Sequence, residues 1–205
     1  MQWRELTIAG AWEFTPRTFY DARGSFLETF RADSLQAAVG HRLNLEQVNC
    51  SVSAAGVIRG VHFTSIPPGQ AKYVTCVQGA VLDVVIDLRV GSPTFGAWES
   101  VLLDDVDRRA VYLSEGLGHA FCSLEDGSTL VYLCSSGYAP RLEHGVHPLD
   151  AELAIDWPTT ARNGTALTHR LSEKDSTAPG LQAASEAGLL PDAPAVTEYI
   201  ETLRG

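Results

Sequence analysis

The chain has 205 residues and a mass of 22.1 kDa, a length that predicts one domain with enough apolar residues to bury a core. Hydrophobic residues make up 45% and charged residues 20%, which excludes the disordered and collagen-like classes. The formal net charge of -10 opposes binding to nucleic acid or to anionic membranes, so we expect partners of neither kind. An anionic ligand would require the few basic residues to gather in one place.

The N-terminal segment predicts a protein that stays in the cytoplasm. Residues 1–6 have neither the apolar run of a signal peptide nor the arginine-rich bias of a transit peptide. No later stretch reaches the roughly 18 consecutive apolar residues of a membrane span. The first predicted regular element is a short helix at Asp33–Val39.

Residues 45–136 consist of short β-branched runs separated by Gly, Pro and Asp, which predicts strands joined by turns. Turn signals recur about every 8–12 residues, a spacing typical of a sandwich, jelly roll or barrel. The segment Leu82–Leu88 alternates apolar and polar residues, which predicts a strand with one apolar face. The predicted strands are Lys72–Val77, Leu82–Leu88, Trp98–Leu103, Ala110–Leu113, His119–Leu124 and Thr129–Cys134.

The C-terminal region predicts a helix, because apolar residues recur there with helical spacing. This stripe consists of Val196, Tyr199, Ile200 and Leu203. The sequence therefore places strands in the middle of the chain and helices mainly at its ends.

The cysteines favour core packing over chemistry. No two of them form a C-x-x-C pair, and each lies in an apolar, strand-like context, so we predict reduced core thiols at Cys50, Cys76, Cys122 and Cys134. A metal site is the rival interpretation, because small β-barrels often hold a metal ion with histidines. The six histidines are scattered, and His62 has neither an H-x-H neighbour nor a glutamate a few residues beyond it. We therefore expect no metal.

Four titratable residues lie inside otherwise apolar strand sequence. His62 points to the face opposite its apolar neighbours, Lys72 opens a strand, Tyr132 lies within one and His119 follows a Gly-rich turn. Taken singly, each is also consistent with a structural role: a hydrogen-bonded core histidine, a surface lysine, a core aromatic residue and a turn residue. Together they supply a base, a cation and a phenol acid, which suffice for proton transfer at carbon.

An ordered set of motifs spans about residues 1–190. It resembles the dTDP-4-dehydrorhamnose 3,5-epimerase family. The motifs are Asp21–Glu28, Gln47–Asn49, Gly56–Phe63, Pro67–Tyr73, Asp83–Gly96, Glu115–Phe121, Tyr132–Cys134, Tyr138, Ile155–Pro158 and Leu171–Asp175.

The resemblance implies a mainly β fold, a cupin-type jelly-roll barrel with short helices mostly near the C-terminus. Residues 1–205 would form a single domain with its core at about 45–140, and the N-terminal strands and C-terminal helical segment would be appendages. The family also implies a homodimer that exchanges N-terminal strands. The substrate would be a dTDP-4-keto-6-deoxyhexose, with neither a metal nor an organic cofactor.

The resemblance also assigns catalytic roles. His62 would be the general base, Asp175 the carboxylate that orients it, Tyr132 the acid on the other face of the sugar, and Lys72 the cation beside the enolate. Asp175 also fits an S-x-x-D pattern, so capping of a helical turn is an alternative role for it.

Further residues would bind the nucleotide and the sugar, some of them contributed by a partner subunit. Arg23 and Arg59 would hold the diphosphate, Tyr138 would stack on thymine, and His119 would lie beside the sugar or its phosphate. The rest of the implied site consists of Phe26, Glu28, Gln47, Asn49, Glu143 and Lys174.

These residue types suit the implied chemistry. A ketone at C4 acidifies the hydrogens at C3 and C5, because removal of either gives an enolate. Inversion then needs a base on one face of the sugar and an acid on the other. Near neutral pH, a histidine can accept a proton and a tyrosine can donate one. A lysine at the keto oxygen stabilises charge that develops in the transition state.

Two stretches depart from the family pattern and leave the regiochemistry open. Residues 143–150 lack an Arg-Trp-Asp-Asp run that is common in the family, and Gly118 and Ala120 exchange the usual small residues around His119. Similar departures occur in relatives that invert only C3 or only C5 in natural-product sugars, so a monofunctional epimerase is the first alternative. A non-catalytic cupin that binds nucleotide sugars, and a metal-dependent cupin oxygenase or isomerase, are the others.

Overall fold

Two antiparallel sheets form the body of the protein in a computed structural model that describes residues 1–204. The strands are β1 (Gln2–Glu5), β2 (Ala11–Thr15), β3 (Thr18–Asp21), β4 (Gly24–Leu27), β5 (Gln47–Ser53), β6 (Ile58–Thr64), β7 (Lys72–Gln78), β8 (Ala80–Asp87), β9 (Trp98–Asp104), β10 (Ala110–Leu113), β11 (Leu117–Ser123), β12 (Ser128–Cys134) and β13 (Glu143–Gly145). The larger sheet has the order β1-β2-β10-β7-β12-β5, and the smaller has the order β13-β6-β11-β8-β9. This arrangement confirms the predicted mainly β jelly roll.

The helices lie outside the two sheets. They are α1 (Ala32–Val39), α2 (Glu173–Ser176), α3 (Leu181–Glu186) and α4 (Ala193–Arg204). The predicted N-terminal and C-terminal helices are therefore confirmed as α1 and α4. None of the four is long and apolar enough to cross a membrane.

Side-chain alternation divides the core into three apolar clusters. Between the sheets, Val74 of β7 packs in one cluster with Val85 of β8 and Phe121 of β11. On the outer face of the larger sheet, Tyr73 packs in a second cluster that includes Leu35 of α1. The third cluster covers the outer face of the smaller sheet and includes residues of the C-terminal segment. Odd and even positions of one strand thus enter different cores.

The six strands predicted from the sequence all occur, with small differences at their ends. The predicted apolar face of the strand Leu82–Leu88 is confirmed, but the opposite face is buried as well. Val85 and Val84 are both buried, on opposite sides of β8, because the smaller sheet has packed clusters on both of its faces. The aspartates of this strand are buried as well.

The larger sheet includes strands that precede residue 45, the predicted start of the core. Strand β2 pairs with β10, and β1 pairs with β2, so two N-terminal strands belong to this sheet. Strands β3 and β4 pair only with each other and form a separate hairpin. This hairpin carries exposed aromatic side chains at Phe19, Tyr20 and Phe26.

All four cysteines are unpaired, but they differ in burial. Cys76, Cys122 and Cys134 are buried, as predicted, whereas Cys50 is exposed. The prediction of a core thiol is wrong for Cys50 because it lies on β5, which is an edge strand of the larger sheet.

Candidate functional site

A cavity of about 290 Å³ opens between the two sheets. One wall comes from β5, β7 and β12 of the larger sheet, and the other comes from β6 and β11 of the smaller sheet. Most of the residues predicted from the sequence meet here. They are Gln47, Asn49, Arg59, His62, Lys72, His119, Tyr132, Tyr138, Glu143 and Lys174.

His62 and Asp175 form a hydrogen-bonded pair at the edge of this cavity. The Nε2 atom of His62 lies 2.6 Å from Oδ1 of Asp175. The flanking residues of β6 turn into the outer core, and His62 therefore faces the cavity with its side chain 37% exposed. The other ring nitrogen makes no hydrogen bond within residues 1–204, which leaves it available for proton transfer.

Asp175 lies in a helical turn that is capped by Ser172, and its own carboxylate contacts His62. Its backbone N–H donates to Oγ of Ser172, the N-cap residue of α2, at 3.0 Å, while its carboxylate holds His62. Burial raises the pKa of Asp175, but the hydrogen bond and charge of His62, with hydrogen bonds from Ser172 and the Gly60 backbone, hold it below its ordinary value. The carboxylate is thus ionised near neutral pH and stabilises a protonated His62.

Tyr132 lies across the cavity from His62, on β12 of the other sheet. Its hydroxyl group forms a hydrogen bond of 2.9 Å with Oγ of Ser51. Burial raises the pKa of Tyr132 well above its usual range, so the phenol carries its proton at neutral pH. The ring of His119 contacts it edge-on, with 6.1 Å between ring centroids. The cavity therefore has a base on one wall and a proton donor on the other.

Lys72 supplies a cation beside these two groups. No carboxylate lies within 4 Å of its ammonium group among residues 1–204, so the charge is not used in an ion pair. Burial lowers the pKa of Lys72, and the nearby Cys134, Glu143 and Glu115 oppose that shift in part. An unpaired ammonium in a confined site stabilises negative charge that develops on a bound ligand.

Arg59 is an exposed residue of the cavity lining. Its guanidinium donates to Oγ of Ser53 and to the carbonyl of Val52, and it has no carboxylate partner within residues 1–204. Such a group is free to bind phosphate oxygens.

An exposed aromatic ring and two amides also line the cavity. Tyr138 is 65% exposed, and its backbone N–H donates to Oε1 of Gln47, whose amide in turn donates to Asn49. The two amides lie at the start of β5, whereas Arg59 contacts its end. Together with Tyr138 they offer hydrogen bonds and a stacking surface.

His119 lines the cavity but is largely buried. It is 5% exposed, and its Nε2 atom lies 2.7 Å from Oδ2 of Asp83, which is 1% exposed. The other carboxylate oxygen of Asp83 has no hydrogen-bond partner. His119 therefore forms the floor of the cavity beneath Tyr132, and most of its ring is shielded from a ligand.

Asp83 and Ser51 were missed by the sequence analysis. Asp83 was interpreted as part of a polar face, whereas β8 is buried on both sides. Ser51 continues the alternation of Gln47 and Asn49 along β5, and this period of two was the signal that could have found it.

Arg23, Phe26 and Glu28 are not brought into the cavity of their own chain. Arg23 and Phe26 lie on the separate hairpin β3–β4, and Glu28 follows it. Arg23 pairs with Asp21, and Glu28 pairs with Arg31 at 3.1 Å. Because the hairpin pairs only with itself, it holds these residues away from the two sheets that enclose the site. Within residues 1–204, no group of three or more His, Cys, Asp or Glu side chains is placed to hold a metal ion.

Comparisons with known proteins identify the family of the chain. The sequence pattern of the dTDP-4-dehydrorhamnose 3,5-epimerase family matches residues 5–183. The chain is 59% identical to a dTDP-4-dehydrorhamnose 3-epimerase of Streptomyces niveus, covering 93% of this chain and 89% of the relative. It is 55% identical to a dTDP-4-dehydrorhamnose 3,5-epimerase of Mycolicibacterium smegmatis, covering 98% and 96%.

A solved structure extends the likeness to three dimensions. A 3'-monoepimerase of Streptomyces bikiniensis in complex with dTDP-quinovose superposes with a TM-score of 0.92 at 51% identity, covering 98% of each chain. The present chain therefore belongs to the dTDP-4-dehydrorhamnose 3,5-epimerase family and is an epimerase.

Proposed function

We propose that this protein converts dTDP-4-dehydro-6-deoxy-D-glucose into dTDP-4-dehydro-L-rhamnose by inverting C3 and C5 without a cofactor. The observation that carries the proposal is the placement of His62 and Tyr132 on facing sheets of one cavity, with Lys72 beside them. Inversion at carbon requires a base and an acid on opposite faces of the sugar ring. This cavity has that arrangement.

The reaction begins with removal of a proton from the carbon next to the ketone. His62 takes this proton on the ring nitrogen that does not contact Asp175, and Asp175 stabilises the imidazolium. The electrons of the broken C–H bond form an enolate, whose oxygen is stabilised by the ammonium group of Lys72. Tyr132 then donates its proton to the same carbon from the opposite face, which gives the inverted centre.

The nucleotide would bind along the exposed residues of the cavity lining. Arg59 would contact the diphosphate and Tyr138 would stack on the thymine ring, while Gln47, Asn49 and Lys174 would complete the contacts. The dTDP-quinovose complex of the Streptomyces bikiniensis relative supports this class of ligand. The protein has a net charge of -10, which repels an anionic ligand. Its basic residues would therefore be concentrated around the diphosphate of the substrate.

The site would be completed by a second copy of the chain. The hairpin β3–β4 exposes Phe26 by 67% and Tyr20 by 77%, and it carries Arg23 away from its own cavity. In a homodimer, the hairpin would cover the partner subunit's cavity and bring Arg23 to the diphosphate. We expect a dimer mass in sedimentation velocity, with Arg23→Ala weakening substrate binding; a monomer of full activity would contradict this arrangement.

A second candidate function is inversion of C3 alone. The 59% identity with a 3-epimerase favours it, since that value exceeds the 55% identity with a 3,5-epimerase. The same base and acid serve either reaction, because the orientation of the sugar decides which carbon faces His62.

Deuterium exchange followed by NMR tests both candidates. The protein is incubated with dTDP-4-dehydro-6-deoxy-D-glucose in deuterium oxide, and the label at C3 and C5 is measured together with product configuration. Label and inversion at both carbons are expected. Label at C3 alone would select the monofunctional epimerase. Binding of dTDP without exchange at either carbon would overturn both and leave a non-catalytic nucleotide-binding protein.

A further inference from the structure

The hydroxyl group of Tyr132 has a single hydrogen-bond partner among residues 1–204, and that partner is Ser51. Ser51 lies opposite Leu130 in the pairing of β5 with β12, and Tyr132 lies opposite Asn49. The two residues are therefore diagonal neighbours on one face of the sheet, within reach of an aromatic side chain. Both line the cavity, and their oxygen atoms are 2.9 Å apart.

A buried phenol needs help to act as an acid. Once Tyr132 has given its proton to carbon, a phenolate remains in a site where burial opposes charge. The ring of His119 packs edge-on against Tyr132, and the nitrogen of His119 is already bonded to Asp83. Ser51 is thus the one side chain in hydrogen-bond contact that can donate to the phenolate oxygen.

Ser51 also has access to solvent. It is half-buried, and its neighbours Cys50 and Val52 are exposed because β5 is the edge strand of the larger sheet. Tyr132 is half-buried too, but its strand β12 is central, between β5 and β7. The serine hydroxyl therefore lies next to the acid, on the exposed edge strand of the same sheet.

We propose that Ser51 is a positioning residue that holds the hydroxyl of Tyr132 at the reacting face and returns a proton to it from solvent water. The proposal rests on the proposed function of this site. In each cycle the enolate carbon takes the proton of Tyr132, the phenolate takes the proton of Ser51, and Ser51 takes a proton from water. His62 releases its proton to solvent, so the protein returns to its starting state and the count of protons balances.

Deuterium exchange and inversion are two measurable outcomes of this reaction, and they depend on different residues. His62 removes the proton and can return a deuteron from the same side, which labels the substrate without inverting it. Inversion requires Tyr132. Loss of Ser51 should therefore lower inversion much more than exchange, whereas a general structural defect would lower both together.

Four variants test this separation: Ser51→Ala, Ser51→Thr, Tyr132→Phe and the double variant with Ser51→Ala and Tyr132→Phe. A hydrogen bond to a charged group implies a loss of inversion of roughly tenfold to a hundredfold in Ser51→Ala, with exchange within about threefold of the unaltered protein. Ser51→Thr keeps a hydroxyl and should restore most of the inversion. In the Tyr132→Phe background, Ser51→Ala should have no further effect.

Thr129→Val is the matched control, because it removes a hydroxyl from β12 that does not line the cavity. We expect it to leave both rates unchanged, and thermal unfolding checks that each variant is folded. Unchanged inversion in Ser51→Ala, or an equal loss of exchange and inversion, would overturn the role of Ser51 alone. Absence of exchange in the unaltered protein would instead overturn the function on which this role rests.

Discussion

Two histidine–aspartate pairs stand side by side in this protein, and only one of them is accessible. His62 of β6 and His119 of β11 are direct cross-strand partners in the smaller sheet. Each contacts a carboxylate through Nε2, at 2.6 Å to Asp175 and at 2.7 Å to Asp83. The side chain of His62 is 37% exposed, whereas that of His119 is 6% exposed.

The difference arises from where each carboxylate comes from. Asp83 belongs to β8, which pairs with β11, so the second pair is built entirely within the sheet and is enclosed by it. Asp175 belongs to α2, outside both sheets, and its helical turn holds His62 at the mouth of the cavity. The same hydrogen-bonded pair therefore differs in accessibility, and a base must reach its substrate and then exchange its proton with solvent.

Substitution of the two histidines by asparagine should separate their roles. His62→Asn can still bond Asp175 but cannot act as a base, so we expect deuterium exchange to fall by roughly 10³-fold to 10⁴-fold. Its free energy of unfolding should change by less than about 1 kcal/mol, because the side chain is partly exposed.

His119→Asn should show the opposite pattern. It leaves a gap beneath Tyr132 and a weakened buried hydrogen bond, so we expect a loss of about 2–4 kcal/mol in unfolding free energy. Exchange should fall less than in His62→Asn. Urea unfolding and the NMR exchange assay measure the two quantities, and a larger loss of exchange in His119→Asn would reverse the assignment.

The two pairs also mark what the sequence could predict. Strand alternation alone placed His62 opposite its apolar neighbours, and the structure has this orientation. No spacing rule could connect it to Asp175, which lies 113 residues further along the chain, and only the family resemblance suggested that contact. Asp83 was accessible to neither approach, since an alternating strand gives no sign that its polar side is also covered.

The edge strand β5 and the separate hairpin β3–β4 were the least predictable parts. Cys50 looked like a core residue because β5 has a strand-like composition, but composition does not tell an edge strand from a central one. Arg23 was placed at the diphosphate by resemblance, and in one chain it lies on a separate hairpin. Local sequence determines whether a segment is a strand, whereas its neighbours in the sheet depend on the whole chain.

The smallest expected effect concerns the pH dependence of the accessible pair. The pKa of Asp175 is held below its ordinary value near 3.8 in the folded protein, so folding favours the ionised carboxylate. Its contribution to stability is fully present above that ordinary value and is lost as the pH falls through the pKa of the folded state. Asp175→Asn removes the ionisable group and with it this pH-dependent contribution.

We therefore expect Asp175→Asn to lower the unfolding free energy at pH 7 by about 1.5–3 kcal/mol, the range for a hydrogen bond to a charged group. The difference in unfolding free energy between the two proteins should shrink as the pH falls below about 4, since protonation of Asp175 removes the same interaction from the unaltered protein. Urea unfolding at a series of pH values measures this difference. Asp156→Asn is the matched control, because Asp156 is exposed and makes no side-chain hydrogen bond within residues 1–204. A difference that did not shrink below about pH 4 would contradict an ionised Asp175 in the folded protein, and the carboxylate could not then hold the charge of His62.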